Sequence, residues 1–175
     1  MFANPKFSVG ALDLKEGMKV ADLGSGSGHY SLASSIPVGH TGRVYSIEVQ
    51  KGLVKKLEAE IKNKGLTNID VIWGDIEKNG GTKLADESVD RVIMSNVLSQ
   101  TEDKLGLIDE AGRILKPGGL ALVIDMTGEH LQGHHTKHHI VVQDKAVELF
   151  AKRGWKKVKS VSTDPHHYGI ILKHE

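Results

Sequence analysis

Apolar positions recur along the chain with two different periods. Five compact runs, rich in β-branched residues, predict strands: KVADL (19–23), GRVYSIEV (42–49), NIDVIWGD (68–75), SVDRVIMSN (88–96) and LALVIDM (120–126). The last is apolar enough to be covered on both faces. Other stretches carry the helical period. KGLVKKLEAEIKNKG places Leu53, Val54, Leu57 and Ile61 on one face, with Gly65 as its stop. EDKLGLIDEAGRIL (102–115) aligns Leu105, Ile108, Ala111 and Leu115. It ends at KPGG, where Pro117 cannot continue a helix and the glycines turn the chain. A further helix opens near His29. QDKAVELFAKRG (143–154) reads as a helix, with Ala146, Val147, Phe150 and Ala151 inward. WKKVKSVST (155–163) reads as an edge strand with lysines toward solvent, and HYGIILKH (167–174) as its antiparallel partner. The order βαβαβαβαβ, then a helix and two closing strands, predicts an α/β protein with a mainly parallel, doubly wound sheet. Linkers and repeats are absent, so 1–175 reads as a single domain: a short segment, 1–18, and a core, 19–175.

The length of 175 residues suits one domain with a sizeable core. A net charge of +1 makes no demand for nucleic acid or an acidic membrane. The absence of cysteine excludes disulfides, zinc–thiolate sites and thiolate nucleophiles, and fits a reducing compartment. MFANPKFSVG has no basic stretch leading into an apolar one, so it does not read as a signal peptide, and no apolar run is long enough to span a bilayer. The expected location is the cytoplasm.

The candidate chemistry begins at VADLGSGSGHYSLA (20–33). In an open α/β sheet, ligands bind beyond the carboxyl ends of the strands, and the loop Gly24–Gly28 follows the first of them. Its pattern, Asp22-x-Gly24-x-Gly26-x-Gly28, differs from the dinucleotide fingerprint G-x-G-x-x-G. A carboxylate at Asp22 repels a pyrophosphate and accepts from an ammonium group, which speaks against a nicotinamide dehydrogenase. Glu48, ending the second strand, can accept both hydroxyls of a ribose. Asp75, ending the third, can take the exocyclic amine of adenine, with Ile76 against the ring. Each alone is explained by a solvated strand end or a cap. Together, at the ends of successive strands, an amine, a ribose and an adenine describe S-adenosylmethionine.

These stretches resemble the class I (Rossmann-like) S-adenosylmethionine-dependent methyltransferases of the small single-domain type. VADLGSGSG is similar to that family's first motif, VYSIEV to its acidic ribose motif and IWGDIEK to its adenine motif. VDRVIMSNVLSQTED and EAGRILKPGGLALVID are similar to the segments that follow. The resemblance runs from about Gly17 to the end. It implies a seven-stranded sheet of order 3-2-1-4-5-7-6 with the last strand antiparallel and helices on both faces. It also implies that Asp22, Gly24, Ser25, Gly26 and Gly28 line the methionine part. Glu48 with Val49 would hold the ribose, Asp75 and Ile76 would flank the adenine, and Asn96, Val97 and Gln100 would run under the sulfonium.

The resemblance, nearest to small-molecule enzymes such as those of quinone biosynthesis, implies methyl transfer, EC 2.1.1.-, to an unidentified small-molecule acceptor. RNA or protein acceptors, or a nucleoside-binding partner subunit without catalysis, are the alternatives. Departures from related patterns narrow the class. SNVL replaces the N/D-P-P-Y/F of enzymes acting on base or glutamine amines. The carboxylates of magnesium-dependent catechol enzymes are missing after IDM, and arsenite methyltransferases need cysteines. The substrate side is thinly covered, so a large acceptor, an open site or a homodimer partner would complete it. Catalytic candidates are histidines. GEHLQGHHTKHHI carries His130, His134, His135, His138 and His139, among which His135 and His139 are candidate bases. The i, i+4 pairs could hold a metal, and a solvated loop is the plain alternative. No metal is expected. His29 opens the first helix beside the methyl site.

Overall fold

The computed structural model describes residues 4–128 and 140–175. Seven strands form one sheet: β1 (Lys19–Leu23), β2 (Arg43–Glu48), β3 (Ile69–Trp73), β4 (Val89–Ser95), β5 (Leu115–Met126), β6 (Trp155–Val161) and β7 (His167–His174). Their order is β3-β2-β1-β4-β5-β7-β6. β1 to β5 pair in parallel, and β7 is antiparallel to both β5 and β6. This is the Rossmann-like methyltransferase architecture, in the order the resemblance implied.

Alternation along the strands separates two cores. Ala21, Leu23, Val92, Met94, Ala121, Val123, Ile170 and Leu172 face α4 (Lys104–Ile114) and α5 (Gln143–Ala151). Val20, Ile93, Leu122, Ile124 and Ile171 face the opposite layer, which contains α1 (Pro5–Gly10), α2 (His29–Val38) and α3 (Lys51–Asn63). The apolar run in β5 is therefore buried on both sides. α3 buries Val54, Leu57 and Ile61. It ends where Gly65, at φ 64°, bonds back to Lys62 O, and Leu66 N–H to Ile61 O. These paired bonds satisfy the last carbonyls, and Leu66 covers the helix end.

Three details differ from the pattern-based expectation. The N-terminal segment contains α1, begun by Asn4, whose side chain accepts the Lys6 N–H, with Pro5 in the first turn. No helix stands between β3 and β4. Residues 74–88 form turns pinned to α4, because the buried Glu110 carboxylate accepts from Gly80 N (2.8 Å), Thr82 N (3.1 Å) and Thr82 Oγ1 (2.6 Å). The KPGG turn does not precede β5 but lies inside it. Leu115 pairs with Val89 before the turn, and pairing resumes with Leu120 opposite Arg91. No helix among the described residues is long and apolar enough to cross a membrane.

Candidate active site

The carboxyl ends of β1 to β4 open into one cavity of about 830 Å³. Its floor is the turn after β1. Gly24 has φ 71°, and a Cβ there would stand 2.4 Å from Val97 Cγ1, so only glycine lets this loop close on the segment after β4. Gly28, at φ 79°, is the N-cap of α2, and a Cβ there would meet Leu57 Cδ1 at 2.4 Å. Gly28 is thus needed for packing on α3 and is not part of the cavity wall, whereas Asp22, Gly24, Ser25 and Gly26 are.

Four of the five loop amides, from Gly24 to Gly28, are already committed. Gly24 and Ser25 donate to Ile47 O at 2.9 and 3.0 Å, Gly26 to Glu48 Oε2 at 2.9 Å, and Gly28 to Ser25 O at 2.8 Å. A pyrophosphate needs such amides free, and this loop leaves few of its own for one.

The carboxylates retain acceptor capacity. Asp22 is 2% exposed, and Ser31 Oγ donates to it at 2.6 Å. Burial pushes its carboxyl up to about 6. The Ser31 bonds oppose that rise, and the Glu48 charge adds to it. Glu48 is 5% exposed, with one oxygen on Gly26 N and the other on Gln50 N at 2.8 Å. Each oxygen has a further lone pair for a ligand hydroxyl. Asp75 accepts from Lys78 Nζ at 3.0 Å and Glu77 N at 3.1 Å, bonds that hold its carboxyl below the ordinary range.

The rest of the wall comes from three segments. Val49 and Ile76 extend the β2 and β3 ends, and Asn96, Val97 and Gln100 follow β4. Asn96 adopts the left-handed region at φ 55°, which asparagine tolerates. Its N–H donates to Ile124 O, and its carbonyl accepts from Gln100 Nε2 at 2.6 Å. The whole turn rests on Asp125, fully buried at the end of β5, which accepts from Ser99 N at 3.2 Å. Burial raises the Asp125 carboxyl despite the backbone bonds it accepts. Ser25 Oγ, Asn96 Oδ1 and the Tyr30 hydroxyl are buried in cavity-lining residues and have no hydrogen-bond partner among the described residues. Buried polar atoms left open in this way await a polar ligand. The committed amides, free carboxylate lone pairs and open polar atoms fit a ligand with an ammonium group and hydroxyls.

A methyltransferase domain model matches residues 14–165. The chain belongs to the methyltransferase domain family. It is 28% identical over 153 residues to the ubiquinone/menaquinone biosynthesis C-methyltransferase UbiE of Klebsiella pneumoniae, covering 85% of this chain and 60% of that protein. It is 32% identical over 150 residues to the protein-L-isoaspartate O-methyltransferase of Methanococcus aeolicus, covering 83% of this chain and 66% of that protein. The chain thus spans less than two-thirds of the length of these curated relatives. A crystal structure of a SAM dependent methyltransferase from Aquifex aeolicus superposes with a TM-score of 0.89 at 25% identity, over 99% of this chain and 91% of that one.

This methyltransferase domain carries wall residues that motif reading missed. Pro5 of α1, Leu53 of α3 and Ser95 of β4 all line the cavity. Glu77 and Asp103 join its rim, where Asp103 N–H donates to Glu77 Oε2 at 2.7 Å. Pro5 had a readable signal, the Asn-Pro start of a helix. His29, the first residue of α2, is exposed at the cavity mouth. The other histidine candidates, His135 and His139 with their neighbours, lie outside the described residues. Among the described residues, no group of three or more side chains comes together to hold a metal.

Proposed function

We propose that this domain binds S-adenosylmethionine in the cavity and transfers its methyl group to a small-molecule acceptor, with residues 19–175 acting as one catalytic unit. One observation carries the reading. Asp22, Glu48 and Asp75, at the ends of three adjacent parallel strands, line one cavity whose glycine-loop amides are mostly committed within the protein. Support also comes from the family match and from UbiE, a small-molecule methyltransferase by name.

When bound, S-adenosylmethionine supplies a methyl group already activated by a positive sulfur. The work left to the chain is binding, orientation and exclusion of water. Asp22 would take the amino group, Glu48 the ribose hydroxyls and Asp75 the adenine amine, with Ile76 and Val97 closing on the apolar parts. Ser25 Oγ and Asn96 Oδ1 would satisfy the remaining polar atoms near the methionine end. The acidic wall favours a neutral or cationic acceptor over an anionic one.

A second reading, methyl transfer to a protein, is favoured by the identity to the isoaspartate enzyme. Calorimetric titration with S-adenosylhomocysteine, with NAD as control, tests the cofactor assignment common to both. Micromolar binding of the first alone is expected. Binding of NAD, or of neither by folded protein, would overturn it.

A further inference from the structure

A second hollow, of about 400 Å³, lies beside the cofactor cavity, and the cofactor reading does not use it. Its volume suits part of a small ligand. Leu32, Ala33 and Ile36 of α2, with Leu66 behind α3, supply its apolar surface. Ile36 is 69% exposed and so open to a ligand. Two polar side chains of the hollow are already engaged. Asn4 Oδ1 accepts the Lys6 N–H at 3.1 Å, and Ser35 Oγ donates to Leu32 O at 2.8 Å.

This groove adjoins the cavity, because Pro5 and His29 line both. α2 and α3 each start at the carboxyl edge of the sheet and run back toward the other edge. His29, the first residue of α2, therefore marks the cavity end. Ile36 and Lys64, the C-cap of α3, mark the far end. From His29 to Ile36 the helix rises about 10 Å. The two hollows carry opposite charge. Asp22, Glu48, Asp75, Glu77, Glu102 and Asp103 line the cavity, where Lys78 is paired with Asp75 at 3.0 Å. Among the described residues no carboxylate lines the groove, whereas Lys6 and Lys64 do. Lys64 Nζ has a loose, exposed partner in Glu60 Oε1 at 3.6 Å, a pair of little strength. The Lys6 ammonium has no ion pair or hydrogen bond among the described residues.

We propose that the groove holds the tail of the methyl acceptor. The acceptor is then an amphiphile, with a neutral or cationic reacting group in the cavity, an apolar chain along α2 and an anionic end at Lys6 and Lys64. This rests on the methyltransferase reading and extends it from the charge of the acceptor to its shape. The chain gains affinity by leaving water against Leu32, Ala33, Ile36 and Leu66. A chain seated there delivers its head past Pro5 and His29, so binding of the tail positions the reacting atom. Charge sets the direction of entry. The acidic cavity wall repels the anionic end, and the lysines repel a cationic one.

The test uses full-length protein saturated with S-adenosylhomocysteine. The probe is ω-aminododecanoate, and the controls, dodecanoate and dodecylamine, each lack one charged end. All are kept below the concentrations at which they form micelles. Calorimetry should show the probe binding at least tenfold more tightly than either control, and isoleucine methyl NMR should show the Ile36 signal moving as it binds. Lys6→Glu combined with Lys64→Glu should erase the advantage of the probe over dodecylamine. Ile36→Glu should weaken binding of the probe at least tenfold. All three side chains are exposed, so an unchanged circular dichroism spectrum is expected of these variants. Displacement of S-adenosylhomocysteine by the probe, equal affinity for the three ligands, or affinities indifferent to the variants overturns the proposal. An Ile36 signal that moves on dilution of the protein alone gives the groove to a second copy of this chain, and overturns it too. Failure of the wild type to bind S-adenosylhomocysteine instead overturns the reading beneath it.

Discussion

The Glu48 carboxylate accepts the Gly26 N–H at 2.9 Å, which ties the end of β2 to the glycine loop after β1. One side chain therefore shapes the loop and offers the acceptor for a ribose. Glu48→Ala removes both at once. Affinity for S-adenosylhomocysteine should fall about 10- to 100-fold, equivalent to roughly 1–3 kcal/mol, the loss typical of charged hydrogen bonds. Calorimetry on a variant with an unchanged circular dichroism spectrum checks this, and unchanged affinity would remove Glu48 from the site.

Asp22 makes cofactor affinity depend on pH. With its carboxyl at about 6 in the free protein, it is ionised at pH 8 and mostly protonated at pH 5. An ammonium group binds only the ionised form, so affinity should fall toward tenfold per unit as pH drops below about 6. Titrations with S-adenosylhomocysteine between pH 5 and 8 should show this in the wild type. Asp22→Asn should bind weakly throughout that range, with a flatter profile.

The same raised value has a stability consequence of opposite sense. The folded carboxyl lies above its unfolded value of 3.8, so the native state binds the proton more tightly. The stability tied to that proton is present below about pH 3.8 and lost as pH rises through about 6. The cofactor-free domain at pH 8 carries this cost. Asp22→Asn should therefore stabilise it by about 1–2 kcal/mol, read as a raised melting temperature without ligand.

Glu110 behaves in the reverse direction. Burial raises its carboxyl, but bonds from Arg113, Thr82 and Gly80 outweigh that and hold it down to about 2. Its contribution is full above about pH 4.5 and is lost as pH falls toward 2. Glu110→Ala would strand Arg113, whose Nε lies 2.8 Å away, and release residues 80–82. A loss of roughly 3 kcal/mol is expected at neutral pH, shrinking in acid, by urea denaturation.

Gly24→Ala should abolish S-adenosylhomocysteine binding, since the added methyl lands on Val97. Gly24→Ala with Val97→Ala should regain part of the lost stability. The φ of 71° leaves a residual strain of about 1 kcal/mol in the pair. Equal melting temperatures for the single and double variants would refute the contact.

Local pattern carried far in this chain. HYGIILKH spans β7 from His167 to His174, and the stripe Val54, Leu57, Ile61 with Gly65 behind it describes α3 and its stop. Period and turn chemistry act between near neighbours, so they are written in the order of residues. The shared position of Asp22, Glu48 and Asp75 was also legible, because parallel strands bring their carboxyl ends to one edge. Tertiary structure alone decided the remainder. Glu110, on a distant helix, turns 74–88 into a pinned loop, and strand pairing across the KPGG turn places it within β5. Leu57 gives Gly28 a packing duty, and burial raises the Asp22 carboxyl to about 6. Desolvation and contacts between remote segments depend on what packs against a residue, and that is set only when the whole sheet closes.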